Sequence, residues 1–125
     1  ILAVRSNPEH MAALAEHGIQ PIDLVVVNLY PFEATIAKSG VTEAEAIENI
    51  DIGGPAMLRA AAKNFHDVII VTNPARYSSL IAMLSQLGDA DIKTRKTLAK
   101  EAFAHTSEYD VAISAYLTKR LAEGK

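Results

Sequence analysis

Apolar positions along the chain fall into two kinds of pattern, short unbroken runs and longer stretches with helical spacing. Residues 23 to 28, Asp-Leu-Val-Val-Val-Asn, and 67 to 72, Asp-Val-Ile-Ile-Val-Thr, are unbroken runs of strand formers. Such runs predict strands buried on both faces, as in a parallel sheet. Ile1 to Val4 is a third, shorter run, and reads as the end of a strand. Between them the period changes. Asn7 and Pro8 supply a helix cap and a first-turn proline, with Met11 and Leu14 as the buried stripe and Gly18 as the stop, so a helix is expected over 8–17. Thr42-Glu43-Ala44-Glu45 has the capping-box pattern, with Val41 placed to staple onto Ala46, and predicts a helix over 43–50 with Ile47 and Ile50 inward. Pro55 suits the first position of another helix. Asn73-Pro74 repeats the cap, and Tyr77, Leu80, Ile81, Leu84 and Leu87 recur at helical spacing up to Gly88. From Asp91 to Ala122 the chain reads as long helix, with Thr106-Ser107 as the expected point of any break. Leu98, Ala102, His105, Tyr109, Ala112 and Tyr116 alternate steps of four and three, which makes one packing seam. Strands separated by helices give an α/β chain with a parallel sheet and right-handed crossovers.

Composition narrows the class. The chain has 125 residues, half of them hydrophobic, and no cysteine. It is long enough for one buried core. It lacks a disulfide framework, a thiol nucleophile and cysteine metal ligands, which fits a reducing, cytoplasmic setting. No apolar run reaches the length of a membrane span and no signal peptide is visible, so no membrane partner is expected. His10 and His17 are two helical turns apart, too far for an easy shared metal, and are read as surface residues. The net charge of −3 divides unevenly: residues 1–51 carry −6 and residues 52–125 carry +3. That split argues against one broad basic face for nucleic acid, but leaves room for a local basic pocket.

The densest chemistry lies in residues 49–64, Asn-Ile-Asp-Ile-Gly-Gly-Pro-Ala-Met-Leu-Arg-Ala-Ala-Ala-Lys-Asn. A helix starting beside two glycines presents unpaired N–H groups and the positive end of its dipole, an arrangement that attracts an anion. Arg59 and Lys63, four apart on one face, also call for something anionic opposite them. The plainer reading makes Asp51 a turn or cap residue and the two cations solvated. Asn28 and Tyr30 follow the first strand, where open α/β sheets bind ligands, and are candidate contacts; alternatively they only close the end of the sheet. His105 on the seam reads as a hydrogen-bonded core or interface histidine. No glycine-rich dinucleotide or Walker fingerprint is present.

Four stretches in order carry a resemblance: Val-Val-Val-Asn-Leu-Tyr-Pro-Phe (25–32), Glu-Asn-Ile-Asp-Ile-Gly-Gly-Pro (48–55), Leu-Arg-Ala-Ala-Ala-Lys-Asn (58–64) and Ala-Phe-Ala-His-Thr-Ser-Glu-Tyr-Asp (102–110). Together they resemble the amino-terminal domain of the bifunctional AICAR transformylase/IMP cyclohydrolase family of purine biosynthesis. The resemblance implies a three-layer α/β/α, methylglyoxal-synthase-like fold, present over residues 1–125 as the later part of that domain with a long helical carboxyl part. It implies closure of formyl-AICAR to inosine monophosphate (IMP) with loss of water, without metal or organic cofactor. It assigns catalytic parts to Tyr30, Asp51 and Lys63, and substrate contacts to Val27, Asn28, Ile52, Gly53 and Gly54, placing the base and carboxamide where the residues alone suggest an anion. Phosphate loops and a further lysine would precede Ile1, and the formyltransferase domain, which uses 10-formyltetrahydrofolate, is not within this chain. A cytoplasmic homodimer is implied, with the Leu98–Tyr116 seam as a possible contact. In many members His follows Lys-Asn; here Phe65 does, with His66 next, and neither receives a catalytic part. Two other readings remain: a binding or assembly module that lacks the phosphate loops, and a regulatory domain of the methylglyoxal-synthase-like kind, against which the Asp51, Lys63 and Tyr30 set argues.

Overall fold

The computed structural model describes residues 1–124. In chain order the elements are α1 (Pro8–Glu16), β1 (Leu24–Val26), α2 (Phe32–Ile36), α3 (Glu43–Glu48), α4 (Gly53–Lys63), β2 (Ile69–Val71), a 3-10 turn (Pro74–Arg76), α5 (Tyr77–Leu87) and α6 (Ile92–Ala122). β1 and β2 pair in parallel, Val25 opposite Ile70, which bears out the expected α/β organisation with a helical carboxyl part. All three β2 residues are buried, whereas in β1 only Val25 is; Leu24 is 39% and Val26 48% exposed. The reading of β1 as buried on both faces is thereby corrected. Among the described residues β1 pairs only with β2, and only its Val25 side joins the core with Leu58 and Ile70.

The main core is built on α4. Gly54, Leu58, Ala61 and Ala62 form its buried stripe, and the small residues let α4 lie close against β2 and α6. Leu58, Ile70 and Val71 are almost wholly enclosed, each worth about 1.5–3 kcal/mol of burial. A second, smaller cluster contains Phe32, Ala46 and Tyr109, with Ile50, Ala112 and Tyr116 against it. α6 is one unbroken helix of 31 residues, about 46 Å long, so there is no break at Thr106-Ser107. Thr106 is buried, and its hydroxyl donates to the Phe103 carbonyl (3.1 Å), a local bond that helices accommodate. Leu98, Ala102 and Tyr109 of the expected seam are buried, with His105, Ala112 and Tyr116 half-buried between them.

Several local expectations shift. Ile1 to Val4 forms no strand, because its polar groups are taken by side chains: the Asn64 amide donates to the Ile1 and Ala3 carbonyls (both 2.8 Å), and the Val4 N–H donates to His10 Nδ1 (3.0 Å). α1 has the expected Asn7 cap but no buried residue; Met11 and Leu14 are only half covered. In α3 the inward residue is Ala46, while Ile47 is 48% exposed and Ile50 lies past the helix end, half-buried. In α5, Leu80 points inward with Tyr77, Met83 and Leu84 against the core, but Ile81 and Leu87 are exposed. Gly88 closes α5 at φ 73°, the left-handed conformation that favours glycine.

The α3 cap forms in full: Glu45 N–H donates to Thr42 Oγ1 (3.2 Å) and Thr42 N–H to Glu45 Oε2 (2.8 Å). The Thr42 backbone N–H, and then its hydroxyl, hold the Glu45 carboxyl below its ordinary value. A depressed folded value means the cap contributes above the unfolded glutamate range and is lost as pH falls through the folded value. We expect the protection factors of the α3 amides, taken relative to intrinsic exchange at each pH, to fall on acidification through that window, and Thr42→Ala to remove this fall in an NMR exchange series.

Candidate functional site

The carboxyl end of β1 runs directly into the loop from Val27 to Pro31, which meets the turn at Asp51 that opens α4. Asp51 joins the two. Its Oδ2 accepts the Tyr30 N–H at 3.2 Å and its Oδ1 accepts the Gly54 N–H at 2.8 Å. The carboxylate is thus the anion seated at the start of α4, favourable to the helix dipole. The N–H of Gly54, one of the unpaired donors read from the sequence, is taken by the chain's own side chain. The cap reading of Asp51 is therefore realised, though from one residue before the cap position, since α4 starts at Gly53 rather than at Pro55 and Ile52 supplies no side-chain cap. One lone pair on each carboxylate oxygen is engaged by these bonds, and each oxygen has a second.

Gly54 leaves the space that the Asp51 carboxylate occupies. A Cβ there would lie 2.6 Å from Asp51 Oδ2 and 2.9 Å from both Oδ1 and Cγ, whereas at Gly53 it would meet nothing within 4 Å. Behind the loop stands Tyr109 of α6, whose hydroxyl accepts the Asp51 N–H (2.8 Å) and faces the Asn49 carbonyl (3.3 Å).

The other residues expected at the site are placed unequally. The Tyr30 side chain is 59% exposed and Ile52 76%, so both are open to a ligand. Val27 uses its N–H to extend the ladder to the Val71 carbonyl (3.0 Å). The Asn28 amide donates to the Thr72 carbonyl (3.0 Å), and its Oδ1 accepts the Tyr77 hydroxyl at 3.4 Å, which ties it to the end of β2. Lys63 lies at the opposite end of α4, about 15 Å along the axis from Gly53. Tyr30, Asp51 and Gly54 are brought together; Lys63 is exposed and outside that cluster. Arg59 has no carboxylate opposite it among the described residues. Its guanidinium lies 5.7 Å from the centre of the Phe103 ring, a cation–π contact in place of the anion expected. Tyr109 was readable only as a seam residue; a buried hydroxyl on such a seam needs a partner, and that need was the available signal.

Residues 3–56 match the profile of the MGS-like domain. With its parallel strand pair and a helix opened by Gly-Gly, the chain is an α/β domain of that methylglyoxal-synthase-like class. Residues 61–125 match the profile of the AICARFT/IMPCHase bienzyme. The chain belongs to that family. The bifunctional purine biosynthesis protein PurH of Bacillus subtilis (strain 168) is 55% identical over 123 residues, covering 98% of this chain and 24% of that protein. PurH of Leuconostoc citreum (strain KM20) is 59% identical over 118 residues, covering 94% and 23%. A solved structure described as the crystal structure of ForH superposes with a TM-score of 0.79 at 36% identity, over 90% of this chain and 58% of that one. The chain thus spans about a quarter of the length of the curated relatives it matches. No helix among the described residues is long and apolar enough to cross a membrane.

Proposed function

We propose that residues 1–125 form part of an IMP cyclohydrolase domain, which closes formyl-AICAR to IMP and water in a cytoplasmic, dimeric enzyme of purine biosynthesis. The observation that carries this reading is the Asp51 carboxylate bridging the Tyr30 and Gly54 N–H groups at the carboxyl end of β1. In open α/β sheets that is where ligands bind.

Cyclisation joins the carboxamide nitrogen to the formyl carbon; that nitrogen gives up one proton, the formamido nitrogen gives up the other, and the formyl oxygen departs as water. Asp51, fixed by two backbone donors, orients the carboxamide and accepts its proton through a remaining lone pair. The exposed Tyr30 hydroxyl holds the formyl oxygen. Gly53, Gly54 and Ile52 line the turn against the base, and Val27 and Asn28 present the backbone at the strand end. Lys63 is assigned the donor to the leaving oxygen on resemblance alone, since the shared hydrogen bonds support Tyr30 and Asp51 only. Holding one molecule in a reactive conformer supplies much of the acceleration, so the step takes no cofactor. 10-Formyltetrahydrofolate belongs to the formyl-transfer half of the parent enzyme.

The test is absorbance-monitored formation of IMP from formyl-AICAR, by this chain alone and with the upstream segment of a relative supplied in trans. Activity in either arm that falls about 10²–10⁴-fold in Asp51→Asn supports the reading. Lys63→Ala, assayed alongside, decides the lysine's part. Binding of IMP without turnover in both arms replaces it by a nucleotide-binding module, and neither binding nor turnover leaves an assembly role.

A further inference from the structure

The Tyr109 side chain holds the Asp51 turn from a third element and packs on Phe32, just past the Tyr30 loop. Its hydroxyl lies between the Asp51 N–H at 2.8 Å and the Asn49 carbonyl at 3.3 Å, so it can accept from one and donate to the other, gripping the backbone on either side of Ile50. Its ring stands edge-on to Phe32, 6.4 Å between centres at 72°, and Phe32 follows Tyr30 by two residues. Both rings are at least nine-tenths buried, with Ala46 between the same elements. A buried ring has few rotamers open to it, so the hydroxyl is delivered to the turn at a fixed height. The Asp51 carboxylate then bridges to the Tyr30 N–H.

We propose that Tyr109 is the positioning residue of the site: through its hydroxyl and its ring, α6 sets the Asp51 turn against the Tyr30 loop in the arrangement that binds the nucleotide. The inference rests on the functional reading above for what Asp51 and Tyr30 do, while the positioning itself is readable in the free protein. Tyr116 provides an internal control. It lies on the same seam and packs edge-on to the same Phe32 ring, 5.7 Å between centres, but its hydroxyl accepts from Arg120 Nε (3.1 Å) instead of holding the Asp51 turn.

The experiment compares the unaltered chain, Tyr109→Phe and Tyr116→Phe by site-resolved amide exchange and by titration with IMP. Tyr109→Phe keeps the ring and removes the grip. Exchange at Tyr30, Asp51 and Gly54 should rise roughly tenfold while the β2 amides keep their protection, and the dissociation constant for IMP should rise by a similar factor. Tyr116→Phe should leave both readouts unchanged. Unchanged exchange in the turn would overturn the proposal; so would a rise spread equally over β2, which marks a general structural role, or a loosened turn with unaltered IMP affinity. If the unaltered chain does not bind IMP either alone or with the upstream segment of a relative supplied in trans, the functional reading fails by itself, and exchange in the turn alone decides the role of Tyr109.

Discussion

Phe32→Ala is expected to lower the unfolding free energy by about 3–5 kcal/mol, the usual cost of emptying a large buried aromatic site. The ring is 1% exposed and meets both Tyr109 and Tyr116 edge-on. Little is available to refill the space, because α2 has only five residues and α3 offers Ala46 to the same cluster. A domain of this size has about 5–15 kcal/mol in total, so the loss takes a large share of it. Urea unfolding followed by circular dichroism would measure it. A shift below about 1 kcal/mol would mean that the smaller cluster collapses around the void, or contributes little to the global transition.

The second large effect concerns Gly54. Alanine is the better helix former by about 1 kcal/mol, so on propensity alone Gly54→Ala should stabilise α4. Sterics decide otherwise. The new Cβ falls within 3 Å of all three carboxylate atoms of Asp51, which must swing away and give up its bonds to Tyr30 and Gly54. Two charge-assisted bonds of about 1.5–3 kcal/mol each are lost, water replaces part of them at this partly exposed turn, and the propensity gain offsets about 1 kcal/mol, so a net loss of about 1–3 kcal/mol is expected. Removing the carboxylate reverses the sign: in an Asp51→Ala background, Gly54→Ala should be neutral or stabilising by up to about 1 kcal/mol. A double-mutant cycle by denaturant unfolding reads this coupling directly, and additive values would show that the close approach costs nothing.

Signals confined to a few neighbouring residues were legible in the sequence. The Asn7, Thr42 and Asn73 caps all hold the N–H groups they should, and Gly88 ends its helix, because capping is settled within three or four residues. What depends on distant neighbours was less legible. The runs 23–28 and 67–72 look alike as sequence, yet only β2 is covered throughout, since coverage comes from helices packed later in the chain. The site divides in the same way. That Asp51 and Gly54 belong together is local and was readable; that Asp51 would reach the Tyr30 N–H depends on how β1 and α4 dock. Twelve residues of sequence separate Asp51 from Lys63, and only the straightness of α4 shows how far apart that leaves them.

Among the described residues, α6 is the one helix that crosses from the sheet core to the aromatic cluster, burying Ala102 in the first and Tyr109 in the second. Seven residues of rigid helix separate them, so the reach from sheet to site is counted in whole residues and cannot be adjusted by a flexible joint. Inserting or deleting one residue in that span would slide Tyr109 by about 1.5 Å and rotate it by about 100°, turning its hydroxyl away from Asp51 while leaving the sheet intact. The interval between Ala102 and Tyr109 therefore works as a phase setting, with its length fixed by the two clusters it joins.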